Sequence, residues 1–318
     1  MIWDFGYIAV GLVLLVVAGD LLVKGAVALS LRFGIPALIV GLTVVAFGTS
    51  APELMVSVAA VLDHAPTLAL GNVVGSNIAN ILLVLGLPAI ISAIRTDEQD
   101  MRESFILMIG ATVLFMIVAY LGPIRWPQAL VLLAGLGLIL FRQIREALAH
   151  RANRTPDDEI TSVDPHTPGW RIALLLAAGL VGLPIGADLL VDGASDIASA
   201  MGVSDAVIGL TLVALGTSLP ELATSITAAT KGRSDVALGN VVGSNIFNLL
   251  CIIGVAGMFG AIPVPAQMLH FDFWVMLGAS LLLIPFIFRK RAIGRWVGVA
   301  FTLIYLVYVV ALLIGGRV

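Results

Sequence analysis

The chain has 318 residues, of which 60% are hydrophobic and only 12% are charged, and its mean hydropathy is +1.09. Soluble globular proteins carry roughly 25% charged residues, so this composition excludes a soluble protein and predicts an all-α integral membrane protein. The net charge of −3 excludes the basic surface expected of a protein that binds nucleic acid. The single cysteine, Cys251, excludes an internal disulfide and a multi-cysteine metal site.

Ten apolar stretches are long enough to cross a bilayer, since a transmembrane helix needs about 20 predominantly apolar residues. They are predicted at 5–28, 37–62, 68–92, 104–121, 127–145, 171–198, 206–229, 236–260, 270–288 and 295–315. The longest polar stretch, 146–169, contains prolines and charges of both signs, which indicates a linker and not a folded domain. We therefore expect two units of five transmembrane helices each, 1–145 and 170–318.

The basic residues predict the orientation of these helices. If the linker is cytoplasmic, 14 of the 17 lysines and arginines lie on the cytoplasmic side, Lys24 lies within the first span, and only Arg125 and Arg317 lie outside. Loops that remain in the cytoplasm carry an excess of Lys and Arg. The sequence therefore predicts a multi-pass protein of the cell membrane (inner or plasma membrane), with a cytoplasmic linker and both termini external.

An internal repeat divides the chain. Shifting the sequence by 168 residues aligns 20–86 with 188–254 without a gap, and 33 of the 67 aligned positions are identical. The first copy contains GLTVVAFGTSAPEL and ALGNVVGSNIANIL, and the second contains GLTLVALGTSLPEL and ALGNVVGSNIFNLL. Because each unit has an odd number of spans, the second must enter the membrane with the opposite polarity. Two inverted five-helix repeats are predicted, an architecture that many secondary transporters share.

The repeat places one glutamate, Glu53 or Glu221, near the middle of an apolar span in each copy. An acidic side chain at the centre of a bilayer costs about 2.5–3.5 kcal/mol or more, so two at equivalent positions indicate a functional site. The structural alternative is a neutral carboxylic acid that only holds helices together by hydrogen bonds.

The neighbours of each glutamate favour a cation site. Pro52 and Pro220 have no amide hydrogen, so the carbonyls of Gly48 and Gly216 lose their helical partners and the helix is weakened at membrane depth. Each glutamate also follows a threonine by four positions, which would place hydroxyl and carboxylate on one helical face. The repeated oxygen-bearing residues are Thr49, Ser50, Glu53, Ser76 and Asn80, and Thr217, Ser218, Glu221, Ser244 and Asn248. An all-oxygen set suits hard cations such as Ca²⁺ or Na⁺.

The other polar residues and motifs of the sequence do not indicate a second functional site. Asp20 and Asp188 are also repeated, but Lys24 follows Asp20 by four positions and can pair with it. The sequence has no phosphate-binding GxxxxGK[ST] loop, which argues against ATP-driven pumping. The predicted spans contain none of the residue sets of an intramembrane protease, so we expect no enzymatic activity.

The paired GTSxPEL and GNVVGSNIxN segments resemble the α-repeats of the sodium/calcium exchanger family, in the Ca²⁺/cation antiporter superfamily. The resemblance implies a minimal, prokaryotic type of exchanger that moves Na⁺ against Ca²⁺ by alternating access, as a monomer in the lipid bilayer, with no cofactor besides the transported ions. It implies that Glu53 and Glu221 bind both ions and that Thr49 and Thr217 bind Ca²⁺. Flanking Na⁺ positions and the centre of the site would be formed by Ser50, Ser218, Ser76, Ser244, the carbonyls of Ala46 and Ala214, Asn80 and Asn248.

One position departs from many sodium-coupled relatives, which carry aspartate where this chain has Asn248. The departure leaves H⁺/Ca²⁺ antiport, with the glutamates as proton carriers, as an alternative to Na⁺/Ca²⁺ antiport. A passive Ca²⁺ channel is a third reading, disfavoured because inverted repeats with buried carboxylates at helix breaks are typical of carriers. The sequence leaves open the coupling ratio and the transport of K⁺ or other divalent ions.

Overall fold

The computed structural model describes residues 2–97, 101–152, 167–201 and 214–314, and the described chain is helical throughout its regular structure. Two isolated antiparallel bridges, Ile94 with Ile293 and Ile124 with Ile262, are the β-type pairings found in these residues. The helices are α1 Ile2–Phe33, α2 Ala37–Thr49, α3 Ala51–Leu62, α4 Pro66–Ile91, α5 Arg102–Tyr120, α6 Trp126–Ala152, α7 Gly169–Ala200, α8 Ala214–Gly216, α9 Leu219–Thr230, α10 Ser234–Phe259, α11 Met268–Phe288 and α12 Arg295–Ile314.

Eight of the described helices are long and apolar enough to cross a membrane, and the bent pair α2 and α3 makes a ninth span. The prediction of an all-α membrane protein is therefore confirmed. The predicted span 206–229 lies partly in 202–213, outside the described residues, so the count of ten is a prediction still. The predicted linker is shorter at its start than expected, because α6 continues to Ala152 with the helix-forming sequence REALAHRA.

The spans that carry the two glutamates are broken, as the prolines predict. Helix α2 ends at Thr49, α3 begins at Ala51, and their axes differ by 43°. Ser50 at the junction has φ −85° and ψ 6°, and Ser218, before α9, has φ −91° and ψ 0°. Each proline lies at the start of a new helix, where its missing amide hydrogen costs little. As a result Glu53 and Glu221 lie in the first turn of α3 and α9.

Helices α4 and α10 form the centre of the bundle. Both carry a π-helical turn, Asn80–Val84 in α4 and Phe247–Ile252 in α10. Such wide turns are frequent at functional sites because they locally change the helix register. Helix α10 also approaches α2 closely, since a Cβ on Gly239 would lie 2.7 Å from the carbonyl oxygen of Leu38. The glycine thus holds the broken span against the central helix.

Helices α1 and α7 pack against each other along much of their length. Glycines make this contact close: a Cβ on Gly179 would lie 2.6 Å from the Cβ of Leu22, and one on Gly186 would lie 3.0 Å from the amide nitrogen of Leu15. Small residues are typical of helix interfaces in membranes because they let the backbones approach.

An ion-pair cluster joins α1 to the end of α9. Asp20 pairs with Lys24 at 2.7 Å, which confirms the expected intrahelical pair, and it also pairs with Lys231. The position that the repeat relates to Lys24 is Asp192, beside Asp188 on α7. The cluster therefore has no charge-matched counterpart in the second copy of the repeat.

The close contact of α1 and α7 yields a stability prediction. Gly179→Leu should lower the thermal unfolding midpoint in detergent, because overpacking a tight contact costs about 1–3 kcal/mol. Gly137→Leu on α6 is the matched control, since a Cβ there meets no described atom within 4 Å. Equal midpoints for both variants would contradict the close packing.

Candidate ion-binding site

Both glutamates are completely buried. Glu53 on α3 and Glu221 on α9 each have an exposed fraction of 0%. Their place in the first turn of a helix brings the carboxylates near the positive end of the helix dipole, which favours their charged form by a fraction of a kcal/mol to about 2 kcal/mol. The helix breaks therefore provide the first part of the compensation that a buried carboxylate requires.

The carboxylate of Glu221 is held by hydroxyl groups from the junction of α2 with α3 and from α10. Its Oε1 accepts a hydrogen bond from Ser50 Oγ at 2.9 Å and a longer one from Ser244 Oγ at 3.4 Å. Ser50 belongs to the first copy of the repeat and Ser244 to the second. Its other oxygen, Oε2, has no hydrogen-bond partner among the described residues.

Glu53 lacks such hydrogen bonds, although the sequence around it is closely similar to that around Glu221. Neither of its carboxylate oxygens has a hydrogen-bond partner in the described ranges. No Lys, Arg or His of the described residues forms an ion pair with either glutamate. Burying an unpaired charge costs several kcal/mol, so this arrangement requires a positive charge from elsewhere.

Further buried oxygens with no partner lie in the same region. Helix α9 packs on the turn that begins at Asn80, and α3 packs on the turn that contains Asn248, so each glutamate helix contacts the asparagine turn of the other copy. Asn80 donates to Asn245 Oδ1 at 3.1 Å. Within the described chain, the partnerless side-chain oxygens beside the two glutamates are Asn77 Oδ1, Asn80 Oδ1, Asn248 Oδ1 and Ser218 Oγ.

The threonines contact asparagines that the sequence analysis did not select. Thr49 Oγ1 donates to Asn240 Oδ1 at 3.2 Å, and Thr217 Oγ1 donates to Asn72 Oδ1 at 3.4 Å. The expectation that Thr49 faces its own glutamate on one helical face is wrong, because α2 ends at Thr49 and the helix is broken before Glu53. The missed polar residues share the same offset of 168 and could have been found by it: Ser57, Asn72 and Asn77, and Ser225, Asn240 and Asn245.

The carbonyl oxygen of Ala46, predicted to help bind Na⁺ in the first copy, already accepts a hydrogen bond within the protein. Ala46 O accepts the amide hydrogen of Ser50 at 3.0 Å and lies 3.4 Å from Thr49 Oγ1. A carbonyl oxygen has two lone pairs, so one bond leaves capacity for another. Ala214 is the first residue of α8, and Ser76 is buried on α4 one turn before Asn80.

This donor set fits a transported hard cation. It consists of carboxylate, amide, hydroxyl and carbonyl oxygens, the ligands that Ca²⁺ prefers and that Na⁺ also accepts. The described residues contain no cluster of three or more His, Cys, Asp or Glu that could hold a metal ion. Two carboxylates with neutral oxygens give fewer charges than a high-affinity calcium site, and fewer charged ligands mean weaker binding. Weaker binding suits a transported ion, which must also be released from the site.

Comparison with known proteins gives the family. The family described as sodium/calcium exchanger protein matches residues 3–145 and 171–314, which is most of both halves. The chain belongs to the sodium/calcium exchanger family. The exchanger is 33% identical over 348 aligned residues to the sodium/calcium exchanger MaX1 of Methanosarcina acetivorans, covering 97% of this chain and 98% of that one.

Other similarities extend over the whole exchanger. It is 40% identical to the putative antiporter CaxA of Alkalimonas amylolytica over 91% of both chains. Its structure is similar to that of the sodium-calcium exchanger NCX_Mj with 10 mM Na⁺ and no Ca²⁺, with a TM-score of 0.82, 35% identity, and coverage of 98% of this chain and 99% of that one. Since the protein belongs to a family of exchangers, it is a transporter.

The unequal bonding of the two glutamates yields a prediction for the cation-free exchanger. Ser50→Ala should lower its stability by about 1.5–3 kcal/mol, because it removes a hydrogen bond from a buried carboxylate. Ser218→Ala should cost less, since its hydroxyl has no described partner. The measurement is thermal unfolding in detergent with a chelator and without Na⁺. A larger loss for Ser218→Ala would show that the bonding is wrongly assigned.

Proposed function

We propose that this chain exchanges Na⁺ for Ca²⁺ across the cell membrane by alternating access, with both ions as cargo and with no cofactor. The observation that carries the proposal is the pair of fully buried glutamates at helix breaks, which have no basic partner in the described chain. The relative MaX1 is named a sodium/calcium exchanger and the structural neighbour NCX_Mj a sodium-calcium exchanger. Their names favour Na⁺ as the counter-ion.

Charge balance couples the two ion movements. Two ionised carboxylates buried beside each other repel each other and lose their hydration, so the site without cations is strongly unfavourable in a closed, water-excluded state. One Ca²⁺ neutralises both charges, and so do Na⁺ ions. Only the loaded protein can therefore pass through a closed state and open on the other side, which links efflux of one ion to influx of the other.

The proposed ligands follow from the buried oxygens. Glu53 and Glu221 bind both ions, and Thr49 and Thr217 add oxygens to the Ca²⁺ position. Asn80 and Asn248 line the centre, and the flanking Na⁺ positions use Ser50, Ser218, Ser76, Ser244 and the carbonyls of Ala46 and Ala214. The support is that seven of the side-chain oxygens in this region are buried without a described partner, which in proteins calls for a specific explanation.

The proposed architecture has ten spans in two inverted repeats, 1–145 and 170–318, joined by the linker 146–169. The linker is cytoplasmic, both termini are external, and one chain in the bilayer forms the complete transporter. The backbone bridges support this topology, because Ile94 meets Ile293 and Ile124 meets Ile262 at opposite ends of α5. Loops that the topology assigns to the same side of the membrane are thus paired.

Flux measurements test the counter-ion. Proteoliposomes loaded with Na⁺ and diluted into Na⁺-free medium should take up ⁴⁵Ca²⁺, because outward Na⁺ movement drives inward Ca²⁺ movement. No uptake by folded protein would refute the proposal. Uptake that needs a pH gradient and ignores Na⁺ would identify a proton antiporter, and uptake without any counter-ion would identify a channel.

Glutamine variants test the assignment of the two carboxylates. Glu53→Gln and Glu221→Gln each remove one of the two charges that compensate Ca²⁺, so each should lose most ⁴⁵Ca²⁺ flux. Without ions each variant should be at least as stable as the original protein, because a buried charge has been removed. The measurements are flux and thermal unfolding of the same preparations.

Two sets of variants control this experiment. Asn80→Ala and Asn248→Ala should reduce flux less, since each removes a neutral ligand. Glu103→Gln, on the exposed surface of α5 where Glu103 pairs with Arg142, should leave flux unchanged. Flux near the original rate in both glutamine variants of the buried pair would show that these residues are not ion ligands.

A further inference from the structure

Asn240 on α10 is completely buried, and its contacts fix the orientation of its side-chain amide. Its Nδ2 lies 3.3 Å from the backbone oxygen of Glu221 and 3.2 Å from Ser225 Oγ. A backbone carbonyl can only accept, so the NH₂ group must be on that side. The amide oxygen then faces Thr49, at 3.2 Å from Oγ1. Thr49 must therefore be the donor in this pair.

This orientation determines what the Thr49 oxygen can do. The one hydrogen of the hydroxyl has three acceptors within reach, Asn240 Oδ1 at 3.2 Å, its own-helix carbonyl Ala46 O at 3.4 Å, and the carboxylate of Glu221. When Asn240 holds the hydrogen, the lone pairs of Thr49 Oγ1 are available to a cation, and Ala46 O does not receive the hydroxyl. Without Asn240 the hydroxyl would turn to Ala46 O or to the Glu221 carboxylate, and one hydrogen bond would occupy two oxygens of the proposed site.

A corresponding set of contacts occurs in the second half of the site, where Asn72 Nδ2 meets a serine hydroxyl and, among the described contacts, no backbone carbonyl. Thr217 Oγ1 donates to Asn72 Oδ1 at 3.4 Å, and Asn72 Nδ2 lies 3.3 Å from Ser57 Oγ. Asn72 and Ser57 are the residues that the offset of 168 relates to Asn240 and Ser225. In both sets the threonine comes from one copy of the repeat, and the asparagine and serine come from the other. Two separate sets of contacts thus give one arrangement.

From these contacts we infer that Asn240 and Asn72 are positioning residues for cation binding. Each accepts the hydroxyl hydrogen of the threonine from the other copy and so directs the threonine oxygen towards the transported ion. The amide oxygen of Asn240 accepts the Thr49 hydrogen, and its NH₂ group faces Glu221 O and Ser225 Oγ, so Asn240 acts on the cation through Thr49. The inference rests on the proposed role of Thr49 and Thr217 as Ca²⁺ ligands.

A double-mutant cycle tests it. Asn240→Ala should weaken apparent Ca²⁺ affinity by about 10-fold, the low end of the effect of removing a residue that orients a metal ligand, and Thr49→Val should weaken it at least as much. The double variant should be no weaker than Thr49→Val alone, because Asn240 has nothing to orient once the hydroxyl is gone. The same result is expected for Asn72→Ala with Thr217→Val. The half-saturating Ca²⁺ concentration should rise while the maximal ⁴⁵Ca²⁺ flux changes little.

The readouts separate this inference from the proposed function. Stabilisation of the detergent-solubilised protein by Ca²⁺ alone gives the affinity without any Na⁺ coupling, so it remains measurable if exchange fails. Thr112→Val controls for loss of a buried hydroxyl, since Thr112 bonds only within α5 in the described contacts. Thr49→Ser keeps the hydroxyl and should restore the dependence on Asn240.

Three outcomes would overturn the inference. In the first, Asn240→Ala weakens Ca²⁺ binding by the same factor with and without the Thr49 hydroxyl, which indicates an effect on packing. In the second, neither asparagine variant changes the affinity. In the third, neither Asn240→Ala nor Asn72→Ala folds, which would show that the asparagines are structural. If only Asn240→Ala fails to fold, the cycle of Asn72 and Thr217 decides alone.

Discussion

The burial of two carboxylates without a positive partner in the described protein is the constraint on which the rest of the structure depends. Breaks before Pro52 and Pro220 place Glu53 and Glu221 in the first turns of new helices, where the backbone dipole favours a negative charge. That compensation is smaller than the cost of burying two like charges. In the proposed function a transported cation supplies the difference, so the same residues would serve both the fold and ion binding.

The site is built across the two copies of the repeat. Ser50 of the first copy donates to Glu221 of the second, Thr49 to Asn240, and Thr217 of the second copy to an asparagine of the first. Neither copy therefore contains a complete site. A displacement of one half relative to the other must change these bonds, so the geometry of the candidate site is coupled to the arrangement of the helices.

Equivalent residues in the two copies do not form equivalent bonds. Glu221 accepts two hydroxyl hydrogen bonds, whereas Glu53 accepts none within the described chain. In the ion-pair cluster the difference is chemical: Asp20 pairs with Lys231, but the residues related to them by the repeat, Asp188 and Asp63, are both acids and cannot form an ion pair. One side of the molecule can thus form an ion pair that the related positions cannot, and the two halves are not energetically interchangeable.

The sequence by itself determined the apolar character of the spans, the repeat, and the glutamates and small polar residues at its centre, because hydropathy and helix breaks are properties of short continuous segments. The sequence pattern predicted that Thr49 and Glu53 lie on one helical face. That prediction is wrong, because α2 ends before Ser50 and Glu53 belongs to the next helix. Only the tertiary structure decided that Thr49 bonds to Asn240 and Ser50 to Glu221, residues 191 and 171 positions apart. Such pairs depend on how the helices pack, and the close approach of α10 to α2 at Gly239 brings Asn240 towards Thr49.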